Sequence, residues 1–474
     1  MTKLKFGTDG WRAVMCDEFT FANVRAVVQG IADFVNGEGL QDRGIVVGYD
    51  TRFLAEKFAE QAVEVLAGNG IKVLLVKEAA PTPVTAFAIK HWQTGGAVMF
   101  TASHNPPEYN GIKFIPEYAG PATPVITGQL EKNISAVLDG RAIQGLEAAQ
   151  AQEQGLVNVI DPRPPYQEHL KNLVDFDLIG QSKLKVVVDP MYGAGIGYVS
   201  NMLRECGCEV IAIHEHRDPL FGGSLPEPTA HELTELIKLV GQHQANLGLA
   251  NDGDADRFGV IDADGTYITP NQVIALLFLH LNKNRGFNGG IARSVATTHL
   301  LDAMAKKLGV EVDETPVGFK YIGEKMLTRD ILIGGEESGG LSIKGHIPEK
   351  DGILANLLMV EVVAKEKKTL SEVLKEVAAE FGVYANKRLD IKIAEDKKTN
   401  LIAGLKENPP TTVGKREVME RLTIDGVKFL LADGSWVLFR PSGTEPLMRV
   451  YLEALSPEDL IELEQDVRKL IDLP

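Results

Sequence analysis

The sequence predicts an α/β protein of several domains whose C-terminal part follows a different pattern, and three observations carry that expectation. At 474 residues the chain is too long for one hydrophobic core. Short apolar runs alternate with helical stretches, which is the pattern of strands joined by helices into parallel-rich sheets. Near the C-terminus this alternation gives way to strand candidates joined by a short polar turn.

The first unit reads as buried strands at Gly44 to Tyr49, Ile71 to Val76 and Gly96 to Phe100, separated by helices near Leu54 to Ala67 and Val84 to Trp92. A helical, then proline-rich region from Gln129 to Pro165 reads as a connection, after which Leu184 to Asp189 starts another strand. A second unit carries Cys208 to His214 and Leu247 to Ala250. A third has Gly290 to Thr297, a helix from Thr298 to Leu308, and Ile331 to Ile333. The helix around Gly352 to Lys365 leads to Val427 to Leu431 and Ser435 to Phe439, whose connection contains the hairpin dipeptide Asp433-Gly434.

Composition removes several classes of partner. With 65 acidic against 49 basic residues the net charge is −16, which argues against nucleic acid or an anionic membrane as the main partner. A local basic pocket can still take an anionic small molecule. No run of about 18 apolar residues suggests a membrane span, and no signal stretch precedes the segment FGTDGWRA. Cys16, Cys206 and Cys208 have no zinc-site spacing, so a reducing, cytosolic (cytoplasmic) location is expected, with Cys206-Gly207-Cys208 structural. His214 and His216 read as a strand exit rather than a metal site.

Four motifs carry chemistry. In TASHNPPEYNGIK, Thr101 to Lys113, the prolines Pro106 and Pro107 force the chain out of the preceding strand. That puts Ser103 in a loop at a strand's end, where α/β sheets place their sites. Ser103 is a candidate nucleophile, with His104 and Lys113 beside it; a plain surface turn is the alternative for this motif alone. In NDGDADR, Asn251 to Arg257, an extended backbone would put Asp252, Asp254 and Asp256 on one face. Three crowded carboxylates call for a cation, and oxygen ligands without Cys or His favour Mg²⁺, with Mn²⁺ or Ca²⁺ as substitutes. An EF-hand is excluded, because Arg257 falls where glycine is needed and Ala263 where glutamate is. A solvated acidic turn is the alternative; Arg257 suits a phosphate better.

In GGEESGG, Gly334 to Gly340, two carboxylates and a serine between paired glycines could hold sugar hydroxyls, although such pairs also mark ordinary turns. In RPSGTEPLMR, Arg440 to Arg449, the side chains of Arg440, Ser442, Thr444 and Arg449 with the backbone at Gly443 make a phosphate cradle. A hairpin corner with scattered arginines is the alternative.

In this order, the four motifs resemble the α-D-phosphohexomutase superfamily of phosphoglucomutases, phosphomannomutases and phosphoglucosamine mutases. The resemblance covers nearly the whole chain. It includes FGTDGWRA with Arg12, VGYDTR at Val47 to Arg52, VVVDPMYGAG at Val186 to Gly195 and TPVGFKYIGE at Thr315 to Glu324. Read alone, Arg12 is a surface turn residue, Asp50 and Arg52 are a local ion pair and the Pro-Met-Tyr-Gly-Ala-Gly stretch is a strand-to-helix turn.

The resemblance implies three similar mixed α/β domains and a smaller C-terminal α+β domain around a central cleft, with boundaries near 150, 265 and 383. It implies a phosphoglucomutase interconverting glucose 1-phosphate and glucose 6-phosphate through a phosphoserine at Ser103 and a bound glucose 1,6-bisphosphate. Mg²⁺ would be held by Ser103, Asp252, Asp254 and Asp256, while Arg12, Lys113 and Arg257 orient and polarise the reacting groups. Lys113 and His104 both remain candidates for the general base. Lys320 would position the ligand and Glu336 and Ser338 would hold its hydroxyls. Arg440, Ser442, Gly443, Thr444 and Arg449 would take the other phosphate.

The Glu-Glu-Ser sugar loop is similar to that of glucose-directed members, and Gly340 stands where several relatives have histidine. The partners implied are hexose phosphates, and the sequence leaves oligomeric state open. Three alternatives are a glucose-1,6-bisphosphate synthase using another sugar bisphosphate as donor, a phosphomannomutase, and a non-catalytic phosphosugar-binding regulator. A regulator needs neither the nucleophile nor the aspartate trio.

Overall fold

The computed structural model describes residues 4, 10–441 and 447–471, which divide into two compact units. Ser442, Gly443 and Thr444 lie outside the described residues. The first unit comprises residues 1–288 with 318–371, and the second 289–317 with 372–474.

The first unit opens on strands β1 (Trp11–Val14), β2 (Ile45–Tyr49), β3 (Val73–Val76), β4 (Gly96–Phe100), β5 (Tyr109–Pro116) and β6 (Val157–Ile160). They form one sheet in the order β1-β5-β4-β2-β3-β6. Strands β4, β2, β3 and β6 are parallel, and β5 and β1 close the other edge antiparallel. Strand β4 is buried along its whole length, as expected for an apolar run covered on both faces. Helices Phe21–Gly37, Ala55–Gly68 and Pro124–Leu138 supply Val27, Ile31, Val63, Leu66 and Ile134 to the core over Val47, Val98 and Ile112. Thr20 starts the first of these helices by accepting a hydrogen bond from the Asn23 backbone.

The second sheet of this unit contains β7 (Lys185–Asp189), β8 (Glu209–Ala212), β9 (Leu247–Asn251), β10 (Phe258–Asp262) and β11 (Tyr267–Ile268), in the order β11-β10-β9-β7-β8. Strands β9, β7 and β8 are parallel, whereas β10 folds back antiparallel on β9. The turn between β9 and β10 therefore stands at the C-terminal end of β9, where a parallel sheet presents its sites. The unit also holds the antiparallel hairpin Ile331–Glu336 with Gly340–Ile343 and the helix Gly352–Glu366. Every residue from Gly352 to Ala364 is buried, so this helix is a central strut rather than a surface one.

The second unit is built on a six-stranded antiparallel sheet running Ala385–Lys392, Leu447–Ala454, Trp436–Pro441, Val427–Leu431, Arg416–Leu422, Thr412–Val413. The hairpin expected at Asp433-Gly434 is present, with Gly434 at φ +87°. Helices Glu395–Glu407 and Pro457–Leu470 contribute Leu405, Leu463 and Val467 to its core. Within the same unit, parallel strands Gly290–Ser294 and Val312–Thr315 meet this sheet through a charged cluster. Lys428, wholly buried, donates to the Val295 carbonyl at 2.8 Å and to Glu314 at 3.2 Å, with its ammonium 4.1 Å from the centre of the Trp436 ring. Burial, then the Arg293 charge, pushes this lysine down to about 8, against the pull of Glu314.

One expectation is corrected and one strand is added. The connection expected from Gln129 to Pro165 contains β6, which joins the first sheet at its edge. Its residues are half-buried or exposed, and Asn158 interrupts its apolar run. The strand β5, which carries Lys113, was also absent from the sequence reading.

Candidate active site

Ser103 stands in the loop between β4 and β5 with a left-handed backbone, φ +51°. Such a conformation in a non-glycine residue needs support from its surroundings. Arg52, completely buried, provides it. Its guanidinium donates to four loop carbonyls, Ser103 at 2.7 Å, Asn105 at 2.6 Å, Pro106 at 2.8 Å and Tyr109 at 3.0 Å. Asp50 holds the guanidinium in turn, Nε to Oδ2 3.3 Å, and burial lifts Asp50 to about 6 even beside that charge. Arg52 thus does more than form the local ion pair with Asp50 that VGYDTR suggests when read alone. The signal available was its place at the end of β2, next to the strand that launches the serine loop.

Strand β9 ends at Asn251, and residues 252–256 form a turn in which Ala255 takes φ +56°. The carboxylates of Asp252, Asp254 and Asp256 converge through this turn, not through the same-face alternation of an extended strand. Their ligand atoms lie within 4.8 Å of one another, and all three residues are buried. Ser103 Oγ donates to Asp252 Oδ2 at 2.9 Å, bringing the candidate nucleophile to the edge of the cluster.

That one proton is committed to Asp252, so the 3.3 Å contact between Ser103 Oγ and His104 Nδ1 is a donation from the ring nitrogen. Burial first, then the Arg257 and Arg12 charges, holds the imidazole well below its usual range, so His104 is neutral.

Cations surround the aspartates unequally. Lys113, on β5, donates to Asp254 Oδ2 at 2.9 Å and Asp256 Oδ2 at 3.2 Å. Lys350, which sequence reasoning missed, reaches Asp256 Oδ2 at 3.2 Å and Glu349 at 2.8 Å. No spacing in the sequence ties it to the aspartates; its place beside the N-cap of a buried helix was the only cue. Burial opposes ionisation of Asp256, but Lys350, Lys113 and Arg257 overcome it and hold that carboxyl far below the ordinary range. Asp252 goes the other way, raised well above it by burial and then by Asp254 and Asp256. The Oδ1 atoms of Asp254 and Asp256 are buried without any hydrogen-bond partner. Orphaned carboxylate oxygens facing a like-charged neighbour are the donor set of a hard divalent cation, so the residues fit such an ion.

Glycines let neighbouring backbone press on this turn. A Cβ at Gly253 would meet the Ser103 carbonyl oxygen at 2.5 Å, and one at Gly352 would meet the Arg257 carbonyl oxygen at 2.1 Å. The segment Pro190 to Gly195 is more than a strand-to-helix turn: a Cβ at Gly193 would lie 2.8 Å from the Gly253 carbonyl.

The remaining expected residues are placed as follows. Arg12 donates to the Asn105 side chain at 2.8 Å, joining the serine loop. Arg257 pairs with Glu227 at 3.2 Å, and its backbone N–H donates to Asp252 at 3.0 Å. Burial opposes its charge, but Glu227, Asp252, Asp256 and Glu336 hold its pKa above the usual value. Glu336 ends its strand and accepts from the Gly318 N–H at 2.7 Å; burial, then Glu337, raises it to about 7. Ser338 lies half-buried in the hairpin turn, and Lys320 in the first turn of the helix Phe319–Thr328, its ammonium 5.3 Å from the Tyr321 ring centre. In the second unit Arg440 and Arg449 face each other in register on paired strands; Arg440 is held by Asp425 at 2.8 Å and Arg449 lies 3.8 Å from Asp390.

Four family models match the chain in succession. They are the phosphoglucomutase/phosphomannomutase alpha/beta/alpha domains I (residues 3–139), II (164–265) and III (269–381) and the C-terminal domain of the same family (357–470). The chain belongs to the phosphoglucomutase/phosphomannomutase family.

The fold is therefore three α/β/α domains with a C-terminal domain, as expected, and family members are enzymes that transfer phosphate within a sugar phosphate. A phosphoglucomutase/phosphomannomutase of Thermococcus kodakarensis is 33% identical over 98% of both chains. A Pyrococcus abyssi protein provisionally named phosphoglucosamine mutase is 32% identical over 98% of this chain and 97% of its own. The crystal structure of a Thermus thermophilus protein, provisionally a phosphomannomutase, superposes with a TM-score of 0.86 at 36% identity, covering 99% of each chain. The relatives thus carry the names of different sugars. No helix among the described residues is long and apolar enough to cross a membrane.

Proposed function

We propose that this chain is a phosphoglucomutase that works through a phosphoserine at Ser103 and a bound glucose 1,6-bisphosphate. The observation that carries the reading is the 2.9 Å bond from Ser103 Oγ to Asp252, which sets the nucleophile against a buried carboxylate cluster with unsatisfied oxygens. Mg²⁺ held by Asp252, Asp254, Asp256 and the phosphoserine would neutralise charge developing on the transferring group.

The O–P bond to Ser103 breaks as O6 of glucose 1-phosphate takes the phosphoryl group. After the bisphosphate turns over, the C1 phosphoryl returns to Ser103 Oγ and glucose 6-phosphate leaves. Both candidate bases for the sugar hydroxyl are kept: Lys113 is engaged by two carboxylates, and neutral His104, with its Nδ1 proton turned to Ser103 Oγ, has Nε2 left to accept. Lys113, Arg12 and Arg257 supply positive charge around the phosphoryl group. Glu336 and Ser338 take the sugar hydroxyls, Lys320 positions the ligand, and Arg440 and Arg449, with Ser442, Gly443 and Thr444, remain the proposed donors to the phosphate that does not react. Glucose is preferred on the Glu-Glu-Ser loop, and a Cβ on Gly340 would meet Lys350 Cδ at 2.4 Å, so a side chain there would require Lys350 to shift.

A ³¹P NMR time course with Mg²⁺, glucose 1-phosphate and a trace of the 1,6-bisphosphate tests this. Rapid appearance of glucose 6-phosphate is expected, and Ser103→Ala should abolish it. Bisphosphate accumulating only when another sugar bisphosphate is added would replace the mutase with a synthase. Faster turnover of mannose or glucosamine 1-phosphate would overturn the choice of sugar.

A further inference from the structure

Two helices point their N-termini at the aspartate turn. At the start of Thr82–Trp92, the Thr82 N–H donates to the Asp254 carbonyl at 3.0 Å and its hydroxyl to Asp254 Oδ2 at 2.6 Å. At the start of Gly352–Glu366, the Gly352 N–H donates to the Ala255 carbonyl at 3.1 Å, and one turn on Asn356 Nδ2 donates to the Ala250 carbonyl at 2.8 Å. Both helix ends bring partial positive charge to the carboxylates. The turn's geometry is therefore set by where these two helices start.

A cluster of aromatic and imidazole side chains fixes those starts relative to each other. Asp351, wholly buried, caps the second helix by accepting from the Leu354 N–H at 2.9 Å. Its other oxygen accepts from Tyr166 Oη at 2.7 Å and contacts His346 Nε2 at 2.9 Å. A carboxylate only accepts, so Nε2 of His346 carries the proton and, in the neutral ring, Nδ1 accepts. His169 Nε2, 3.0 Å away, is then the donor to it. His169 stacks on Phe87 of the first helix with ring centres 5.0 Å apart, and Tyr166 meets the same Phe87 edge-on at 5.7 Å. The path runs from one helix through Phe87, Tyr166, His169 and His346 to the cap of the other.

We propose that Tyr166, His346 and His169 are positioning residues for the aspartate turn, acting on cation affinity through Asp351 and the starts of these two helices. None of the three touches the cluster. This rests on reading Asp252, Asp254 and Asp256 as a divalent-cation site, and the experiment separates the two ideas.

Mn²⁺ alone is titrated into the full-length protein and free ion is read by EPR, without substrate or turnover. Tyr166→Phe removes one hydroxyl, His346→Leu removes the ring donor, and His346→Gln keeps an N–H at similar reach. Val27→Ala, in the core beside the first sheet, is the destabilised control. Tyr166→Phe and His346→Leu are expected to weaken Mn²⁺ about 3- to 10-fold, toward the range seen when outer partners of a metal site are lost. His346→Gln should recover most of that, and Val27→Ala should bind as wild type. Wild-type affinity in both Tyr166→Phe and His346→Leu overturns the proposal, as does equal weakening in Val27→Ala. If His346→Leu does not fold, Tyr166→Phe decides alone. No Mn²⁺ binding by the wild type, or binding unchanged by Asp254→Asn, would instead remove the cation site itself.

Discussion

Replacing Arg52 with methionine tests whether the serine loop is held by one buried side chain. The change deletes donors to four carbonyls at 2.6–3.0 Å and leaves Asp50 buried without its counter-charge. Breaking a buried pair from one side costs about 3–5 kcal/mol. Part of that cost is avoidable, because Asp50 already stands at about 6 and can take up a proton. An expected loss of about 3 kcal/mol, at the lower end of that range, follows. The effect on rate is separate. A loop free to let Ser103 leave φ +51° moves Oγ by about 1 Å, and such a misplacement costs roughly 100-fold.

The assay pairs thermal unfolding with initial rates for Arg52→Met, Asp50→Asn and the double variant. The double variant has no unpaired buried charge, so it should regain stability over Arg52→Met while its rate stays low. Arg52→Lys should fall between, since an ammonium can satisfy Asp50 but cannot span four carbonyls. A rate for Arg52→Met within threefold of wild type would refute the reasoning. So would a double variant that regains rate and stability together.

Glu336 carries a pH signature. Its folded-state value of about 7 lies above the 4.5 of an exposed glutamate, so the folded protein holds a proton that the unfolded chain gives up. The stability it contributes is present below 4.5 and is lost as pH rises toward 7. Glu336→Gln should therefore melt above wild type at pH 8, with the gap closing by pH 5, while turning over more slowly. An equal gap at both pH values would refute this. Gly352→Ala puts a methyl 2.1 Å from the Arg257 carbonyl, and backbone cannot yield as a side-chain tip does. A loss of about 1–3 kcal/mol with weaker Mn²⁺ binding is expected, and an unchanged unfolding midpoint would count against the packing described.

Much of the fold was legible because buried parallel strands are apolar runs. Gly96 to Phe100 was read to the residue, and the run expected at Gly44 to Tyr49 is the strand Ile45–Tyr49. Edge strand β6 was not legible, since Asn158 breaks the short run Val157 to Ile160, whose central residues are exposed. Within the site, the aspartates and serine announced themselves by local spacing. Arg52 and Lys350 did not, because what matters in each is a partner about fifty or a hundred residues away, Ser103 for one and Asp256 for the other. Even the aspartates converge for a reason the spacing did not contain, a turn with Ala255 in the left-handed region.

Lys428 constrains how such chains can recombine. It sits in the C-terminal sheet, yet its anion is Glu314 and its carbonyl acceptor Val295, more than a hundred residues earlier. A crossover between two homologues anywhere from 318 to 427 would inherit the lysine from one parent and its pocket from the other. Unless the second parent keeps an acid at 314, the hybrid buries an unpaired ammonium, at a cost of several kcal/mol. The segment 289–317 and the strand Val427–Leu431 therefore behave as one heritable block split in the gene, and chimeras that exchange both together should fold where those that exchange one do not.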